Sequence, residues 1–536
     1  MSNERPNILF LMSDQHRADC IGCNGNAVVQ TPHLDRLAAS GVNFPWSYSE
    51  SPVCVPARAI LMTGMLPHRT GVYANGDVLP ADHPTVMTCL RDAGYFTQAI
   101  GKMHFQPVRE PHGLDGLWLS EEIPDRLEND EFLQDLVAAG FGHVEEPHGI
   151  RHELYLSPQV SQLPEHLHTT AWTGRKTIQF LREHQAERPD QPFFCWTSFQ
   201  KPHPPFEPPV PWHRLYRPQM APQPVRNEDE LAWLPWAPPD TTAQRLAGET
   251  PDRGRLATMW TYYFSAISFI DSWIGMILDE LEALGLRERT LIVYTSDHGE
   301  FLGDHWSFGK TSFLEPAARV PLILSWPGHL PARTVREQLV GGSDIVPTLL
   351  AASAIEPSAS GLDPDGVNLL PVARDNGPAR DILIGQVGRG VSAQLGAITR
   401  EWKYVYSCGA NRELLFKYRD GERELRNYAE AADSTAAAAC ADLRQVIIER
   451  YRRDGATELL TPDGQQLKPF PDAPPPGGRG MEPEIWIKER LSQYARWPRA
   501  LPAGWAAPPP SAAGDIPADL PRHSRRDRYQ WPAMSA

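Results

Sequence analysis

Residues 7–15 read Asn7-Ile8-Leu9-Phe10-Leu11-Met12-Ser13-Asp14-Gln15, an unbroken apolar run that stops on an acid and an amide. A run of this length without polar alternation suits a strand buried on both faces, the kind found in parallel sheets covered by helices. A second stretch has the same design: residues 290–295, Thr-Leu-Ile-Val-Tyr-Thr, lead into Asp297-His298-Gly299. In open parallel sheets ligands bind beyond the carboxyl ends of the strands. Two such strands ending on acids therefore predict a site at one edge of the sheet, where a divalent cation could be held.

Outward from these runs, strands and helices alternate. Thr31 is placed to cap a helix that has Pro32 at its first position and Leu34, Leu37 and Ala38 on one face. Residues 84–93 read as a helix closed by Gly94, 95–101 as a strand, 171–184 as a helix and 193–199 as a strand. A long amphipathic helix over 256–284 carries Trp260, Phe264, Ile267, Ile270, Ile274, Ile277 and Leu281 at near-helical spacing. Residues 319–326 read as a strand and 344–352 as a helix. This alternation predicts an α/β domain over residues 1–375, a large mostly parallel sheet sandwiched by helices. Beyond it, short strands at 381–386, 396–399, 403–407 and 413–417 and a helix at 436–451 predict a small α+β subdomain over 376–468. Residues 469–536 form a Pro-rich tail with a short helix at 485–494. Trp486, Trp497, Trp505 and Trp531 would let that tail hook onto a neighbouring subunit, so a homo-oligomer is expected.

The 536 residues are too many for one ordinary domain, and 41 % apolar with 22 % charged residues is globular usage. A formal charge of −15 excludes nucleic acid and anionic membrane as partners, although a local group of cations can still hold an anionic substrate. No segment approaches the ~20 apolar residues of a membrane span. The run at residues 8–12 is too short for a secretory signal. Seven scattered cysteines, with Cys20 and Cys23 as a lone pair of ordinary thiols, agree with a cytoplasmic protein.

The chemistry centres on Cys54-Val55-Pro56-Ala57-Arg58, which continues to Thr63-Gly64. Pro56 suits the first turn of a helix, so residue 54 sits at a helix N-terminus, where free N–H groups and the positive end of the dipole favour an anion. The stretch resembles the sulfatase signature C-x-P-x-R followed by T-G, within the alkaline phosphatase superfamily. The resemblance runs over residues 5–430, including Thr31 to Leu37 (T-P-H-L-D-R-L) and Arg319-Val320-Pro321-Leu322. It implies an alkaline-phosphatase-like fold and oxidation of Cys54 to formylglycine by a formylglycine-generating enzyme. One hydroxyl of the hydrated aldehyde would attack sulfur to give a covalent sulfo-enzyme hemiacetal, and the other would then expel sulfate. Arg58 would orient this diol and screen charge.

The same resemblance assigns Asp14, Gln15, Asp297 and His298 as ligands of one divalent metal ion, with residue 54 completing the shell. Many members carry Asp-Asp and Asp-Asn at these places. The pairs Asp14-Gln15 and Asp297-His298 are similar instead to choline sulfatases and phosphonate monoester hydrolases. Oxygen ligands favour Ca2+, and the imidazole admits Mn2+. Gly101-Lys102-Met103-His104 matches the family's G-K-x-H, so Lys102 and His104 would contact the sulfate. His203, in Pro202-His203-Pro204-Pro205, and Lys310, in Gly309-Lys310-Thr311, match the residues at the ester oxygen and are candidates to protonate the leaving group. Asn75 and His305 lie beside motif segments and would line the pocket.

The expected function is a sulfuric-ester hydrolase of arylsulfatase type. Sulfuryl and phosphoryl transfer share an in-line displacement, so a phosphonate monoester or phosphodiester hydrolase is the alternative. Choline sulfatase is a third, and an unconverted anion-binding protein is the non-enzymatic one. A membrane-bound phosphotransferase is excluded by the lack of spanning segments and by cysteine where threonine would serve.

Overall fold

The computed structural model describes residues 5–124, 126–151, 157–233, 253–356, 361–419, 421–470 and 529–530. In chain order its strands are β1 (Asn7–Asp14), β2 (Val42–Asn43), β3 (Ser47–Tyr48), β4 (Phe96–Gly101), β5 (Gly116–Leu119), β6 (Phe193–Pro202), β7 (Thr290–Ser296), β8 (Arg319–Val320), β9 (Leu322–Ser325), β10 (Thr334–Val335), β11 (Val340–Gly341), β12 (Leu383–Val387), β13 (Gln394–Ile398), β14 (Trp402–Ser407) and β15 (Arg412–Lys417). Eight of them form one sheet in the order β10-β2-β9-β7-β1-β6-β4-β5. The five strands from β7 to β5 run parallel, and β9 opposes both β7 and β2.

Every residue of β1 is buried, as its unbroken apolar run requires. Alternate side chains go to opposite faces. Leu9 and Leu11 join the core under helices Thr169–Glu187 and Arg253–Ala283. Ile8, Phe10 and Met12 join the core under helices Cys54–Thr63, Val86–Asp92 and Ile345–Ala352. The sheet is thus mostly parallel and covered on both faces.

Two local expectations are corrected. Residues 319–326 are not one strand: Pro321, which has no N–H for a ladder, separates β8 in a small β11-β3-β8 sheet from β9 in the large one. Thr31 precedes its helix, but its hydroxyl accepts from Gly22 N at 2.8 Å instead of capping. The cap comes from Asp271 on the long helix, whose carboxylate accepts from His33 N at 3.1 Å and Leu34 N at 2.7 Å.

The C-terminal unit is an antiparallel sheet in the order β12-β13-β14-β15 packed on helix Ser434–Arg453, with Leu395, Tyr404, Leu443 and Ile447 in its own core. The expected helix at 485–494 and the four tail tryptophans lie outside the described residues. Tyr529 is described: it is buried, its hydroxyl donates to Asp271 Oδ2 at 2.7 Å, and its ring meets Trp212 edge-on. Among the described residues no helix is long and apolar enough to cross a membrane. All seven cysteines are free thiols.

Candidate active site

Four adjacent parallel strands end along one edge, and each delivers a polar group there. Asp14 closes β1 with Gln15 following, Asp297 and His298 follow β7, His203 follows β6 and Lys102 follows β4. Gly101, just before Lys102, has φ 100°, and a Cβ there would stand 2.1 Å from Ser198 O, so only glycine lets the chain turn the lysine inward. Helix Cys54–Thr63 points its N-terminus at this edge, ending on Gly64 in the left-handed region. Asn75 supports that N-terminus, its Oδ1 accepting from Val55 N at 3.1 Å.

Asp14, Cys54, Asp297 and His298 are buried and bring one donor atom each within 4.8 Å of one another. His298 places Nδ1 3.0 Å from Gly299 O; donating there fixes the tautomer and leaves the Nε2 lone pair toward the cluster, 3.1 Å from Cys54 Sγ. Asp14 Oδ1 has no hydrogen-bond partner among the described residues. Two convergent carboxylates, an imidazole lone pair and an orphaned carboxylate oxygen fit a divalent cation. Burial alone would raise Asp14, as does neighbouring Cys54, but Lys102, His203 and Arg58 bring it below the ordinary carboxylate range. Asp297 stays above that range, held up by burial and by Asp14.

Arg58 spends its donors on groups other than residue 54. Its Nη2 donates to Asp14 Oδ2 at 3.0 Å, Nε to Asp297 Oδ2 at 3.1 Å, and Nη1 to Lys102 O at 2.5 Å and Ser198 Oγ at 3.1 Å. Its donors therefore clamp the two carboxylates, and its effect on residue 54 is through charge. Gln15 stands beside the cluster with φ 70°. Its backbone N–H donates to Asp297 Oδ1 at 3.1 Å, its Oε1 accepts from Lys310 Nζ at 2.8 Å, and its Nε2 donates to Glu300.

The remaining basic side chains lie around residue 54 and Asp14. Lys310 Nζ is 3.2 Å from Cys54 Sγ, and His104, at φ 59°, stands close enough to help lower that thiol. Burial would push the thiol up, yet Lys310, Lys102 and His298 pull it well below the ordinary value. Lys102 Nζ lies 2.6 Å from both Asp14 Oδ2 and Glu122 Oε2. His203 donates from Nδ1 to Pro204 O at 2.7 Å and presents Nε2 to Glu122 Oε2 at 3.6 Å.

His305 is not part of this pocket. It pairs with Glu230 and lines a separate cavity of about 410 Å³ with Arg17, Trp260 and Arg319. Sequence reading missed Glu121, Glu122 and Glu300. Glu121 accepts from Met103 N at 2.8 Å and His104 N at 2.9 Å, fixing the G-K-M-H turn. Glu300 had a signal, since it directly extends Asp297-His298-Gly299; the Glu121-Glu122 pair after β5 had none.

A nucleophile at a helix N-terminus, facing carboxylates at the ends of parallel strands, defines an alkaline-phosphatase-like ester hydrolase. The Sulfatase family model matches residues 6–355, and the chain belongs to that family. It is 29 % identical to an arylsulfatase of Clostridium perfringens over 87 % of this chain and 98 % of that protein. It is 29 % identical to a choline-sulfatase of Rhizobium meliloti over 80 % of this chain and 83 % of that one. The structure of a phosphonate monoester hydrolase of Agrobacterium radiobacter superposes with a TM-score of 0.67 at 26 % identity, covering 87 % of this chain and 100 % of the other.

Proposed function

We propose that the chain hydrolyses sulfuric esters, of aryl sulfate type, with formylglycine made from Cys54 and one divalent metal ion. The observation that carries this reading is the position of Cys54 Sγ, on a helix N-terminus, 3.1 Å from His298 Nε2 and 3.2 Å from Lys310 Nζ. Converted by a formylglycine-generating enzyme, residue 54 would offer a geminal diol, one hydroxyl to take up the sulfuryl group and one to release it. Asp14, Gln15, Asp297 and His298, with residue 54, would hold the metal, which would supply positive charge for the sulfuryl oxygens. The chain's own groups do the rest. Lys102, His104 and the helix N-terminus bind the sulfate. Arg58 bridges the two carboxylates and balances their charge. His203 and Lys310 face the ester oxygen, one to protonate it and the other to stabilise its charge.

Aryl phosphonate monoesters are the second reading, favoured by Gln15 and His298 and by the similarity to a phosphonate monoester hydrolase. Lys102 and His104 favour sulfate. Either Ca2+ or Mn2+ suits the donor set. Free cysteines support a reducing, cytoplasmic setting. The division near residue 375 and a homo-oligomer built through the tail belong to the same proposal. The test is co-expression with a formylglycine-generating enzyme, peptide mass at residue 54, and turnover of 4-nitrophenyl sulfate after chelation and return of Ca2+ or Mn2+. Turnover that needs conversion, needs a metal and vanishes in Cys54→Ala supports the reading; turnover by Cys54→Ala overturns it.

A further inference from the structure

We propose that Glu122 is a positioning residue: it holds His203 and Lys102 for departure of the alcohol, so that its loss falls on esters with poor leaving groups. This rests on the ester-hydrolase reading above and deepens it.

Glu122 lies three residues beyond β5 and is 6 % exposed. A buried carboxylate is costly unless its partners define its place. Arg151 takes Oε1, which leaves Oε2 facing the site, 2.6 Å from Lys102 Nζ and 3.6 Å from His203 Nε2. The donation from His203 Nδ1 to Pro204 O at 2.7 Å makes Nε2 the nitrogen that faces both Glu122 and the substrate side. At 3.6 Å the contact with Nε2 is an ion-pair distance and not a hydrogen bond. Glu122 therefore favours protonation of Nε2 from a distance at which it does not take the proton itself, so a proton gained there can pass to an ester oxygen.

The groups facing His203 oppose one another. Burial is the largest effect and brings the imidazole down to about 4; Glu122 opposes it most and Asp14 less, while Lys310 and Lys102 work with burial. Bound substrate brings its own negative charge to the same place. When the bond from sulfur to the ester oxygen breaks, its electron pair stays on that oxygen, and a proton passes from Nε2 to it. The sulfuryl group meanwhile bonds to a hydroxyl oxygen of residue 54, which gives up its proton to the carboxylates grouped beside it. An activated phenolate leaves readily as an anion, whereas a poor leaving group needs that proton.

The experiment uses converted, metal-loaded enzyme and a series of substituted phenyl sulfates from 4-nitrophenyl to unsubstituted phenyl, with kcat/KM plotted against the pKa of the phenol. Glu122→Gln should steepen the plot, losing about 100-fold on phenyl sulfate and under about 10-fold on 4-nitrophenyl sulfate. Glu122→Asp should recover most of the wild-type slope. The slope compares substrates within one preparation, so partial misfolding cannot produce it. A uniform loss across the series, or none, overturns the proposal. If the wild type prefers phosphonates, the sulfate reading fails, and the same series of phenyl phosphonates decides the role of Glu122.

Discussion

Lys310 Nζ lies 2.8 Å from Gln15 Oε1, and the other end of the same amide donates to Glu300. The amide is thus oriented from both sides, with its oxygen toward the site. Glu300 is fully buried, and burial pushes its carboxyl up to about 7. Gln15→Glu would set two carboxyl groups face to face without water. The loss in unconverted, metal-free protein should be on the order of 2 kcal/mol. Adding Glu300→Gln should restore most of it, and a double-mutant cycle in denaturant unfolding reads the coupling.

Arg58 is 1 % exposed between two fully buried carboxylates. Arg58→Met leaves both unbalanced and should cost about 3–5 kcal/mol without metal. Because a bound divalent ion replaces the missing charge and stabilises the folded state by mass action, added Ca2+ or Mn2+ should raise the Tm of the variant more than that of the wild type. Equal shifts in the two proteins would count against a metal held by Asp14 and Asp297.

Glu207 is buried against Lys201 at 2.8 Å and His168 at 3.0 Å. Burial would raise its carboxyl, but the Lys201 cation and the hydrogen bond from His168 hold it down at about 2, from an ordinary 4.5. A carboxylate lowered on folding adds stability that is present above its unfolded value and lost as pH falls through the folded one. Glu207→Gln should therefore lower Tm at pH 7, where Lys201 loses its partner. It should also flatten the fall in Tm between about pH 4.5 and 2. Thermal scans across that range check both.

Tyr529 donates to Asp271, the same carboxylate that caps the helix beginning at Pro32. Tyr529→Phe should cost about 1 kcal/mol and Tyr529→Ala about 3 kcal/mol, the second by also uncovering Trp212. Both residues lie outside the active site, so kcat/KM should not change. Urea midpoints beside aryl sulfate rates separate the two effects.

The sheet was legible in the sequence because β1 and β7 are buried on both faces and need unbroken apolar runs. Their terminal acids marked the edge where the site lies. The family motif then supplied Cys54, Lys102, His104, His203 and Lys310 in order. The bond from Arg58 to Asp297, the cap from Asp271 and the contact of Glu300 with Gln15 each join residues more than 200 positions apart, with no periodicity to announce them. Glu122 follows a four-residue edge strand too short to stand out, and only the fold brings it to His203.

The decisive measurement is kcat/KM for 4-nitrophenyl sulfate and for an aryl phosphonate monoester, side by side, on protein whose residue 54 is shown by peptide mass to be formylglycine, with Cys54→Ala as control. A sulfuric-ester hydrolase should favour the sulfate by several decades, and the control should be inactive on both. Preference for the phosphonate would contradict the sulfate reading and make Gln15 and His298, not Lys102 and His104, the residues that set specificity.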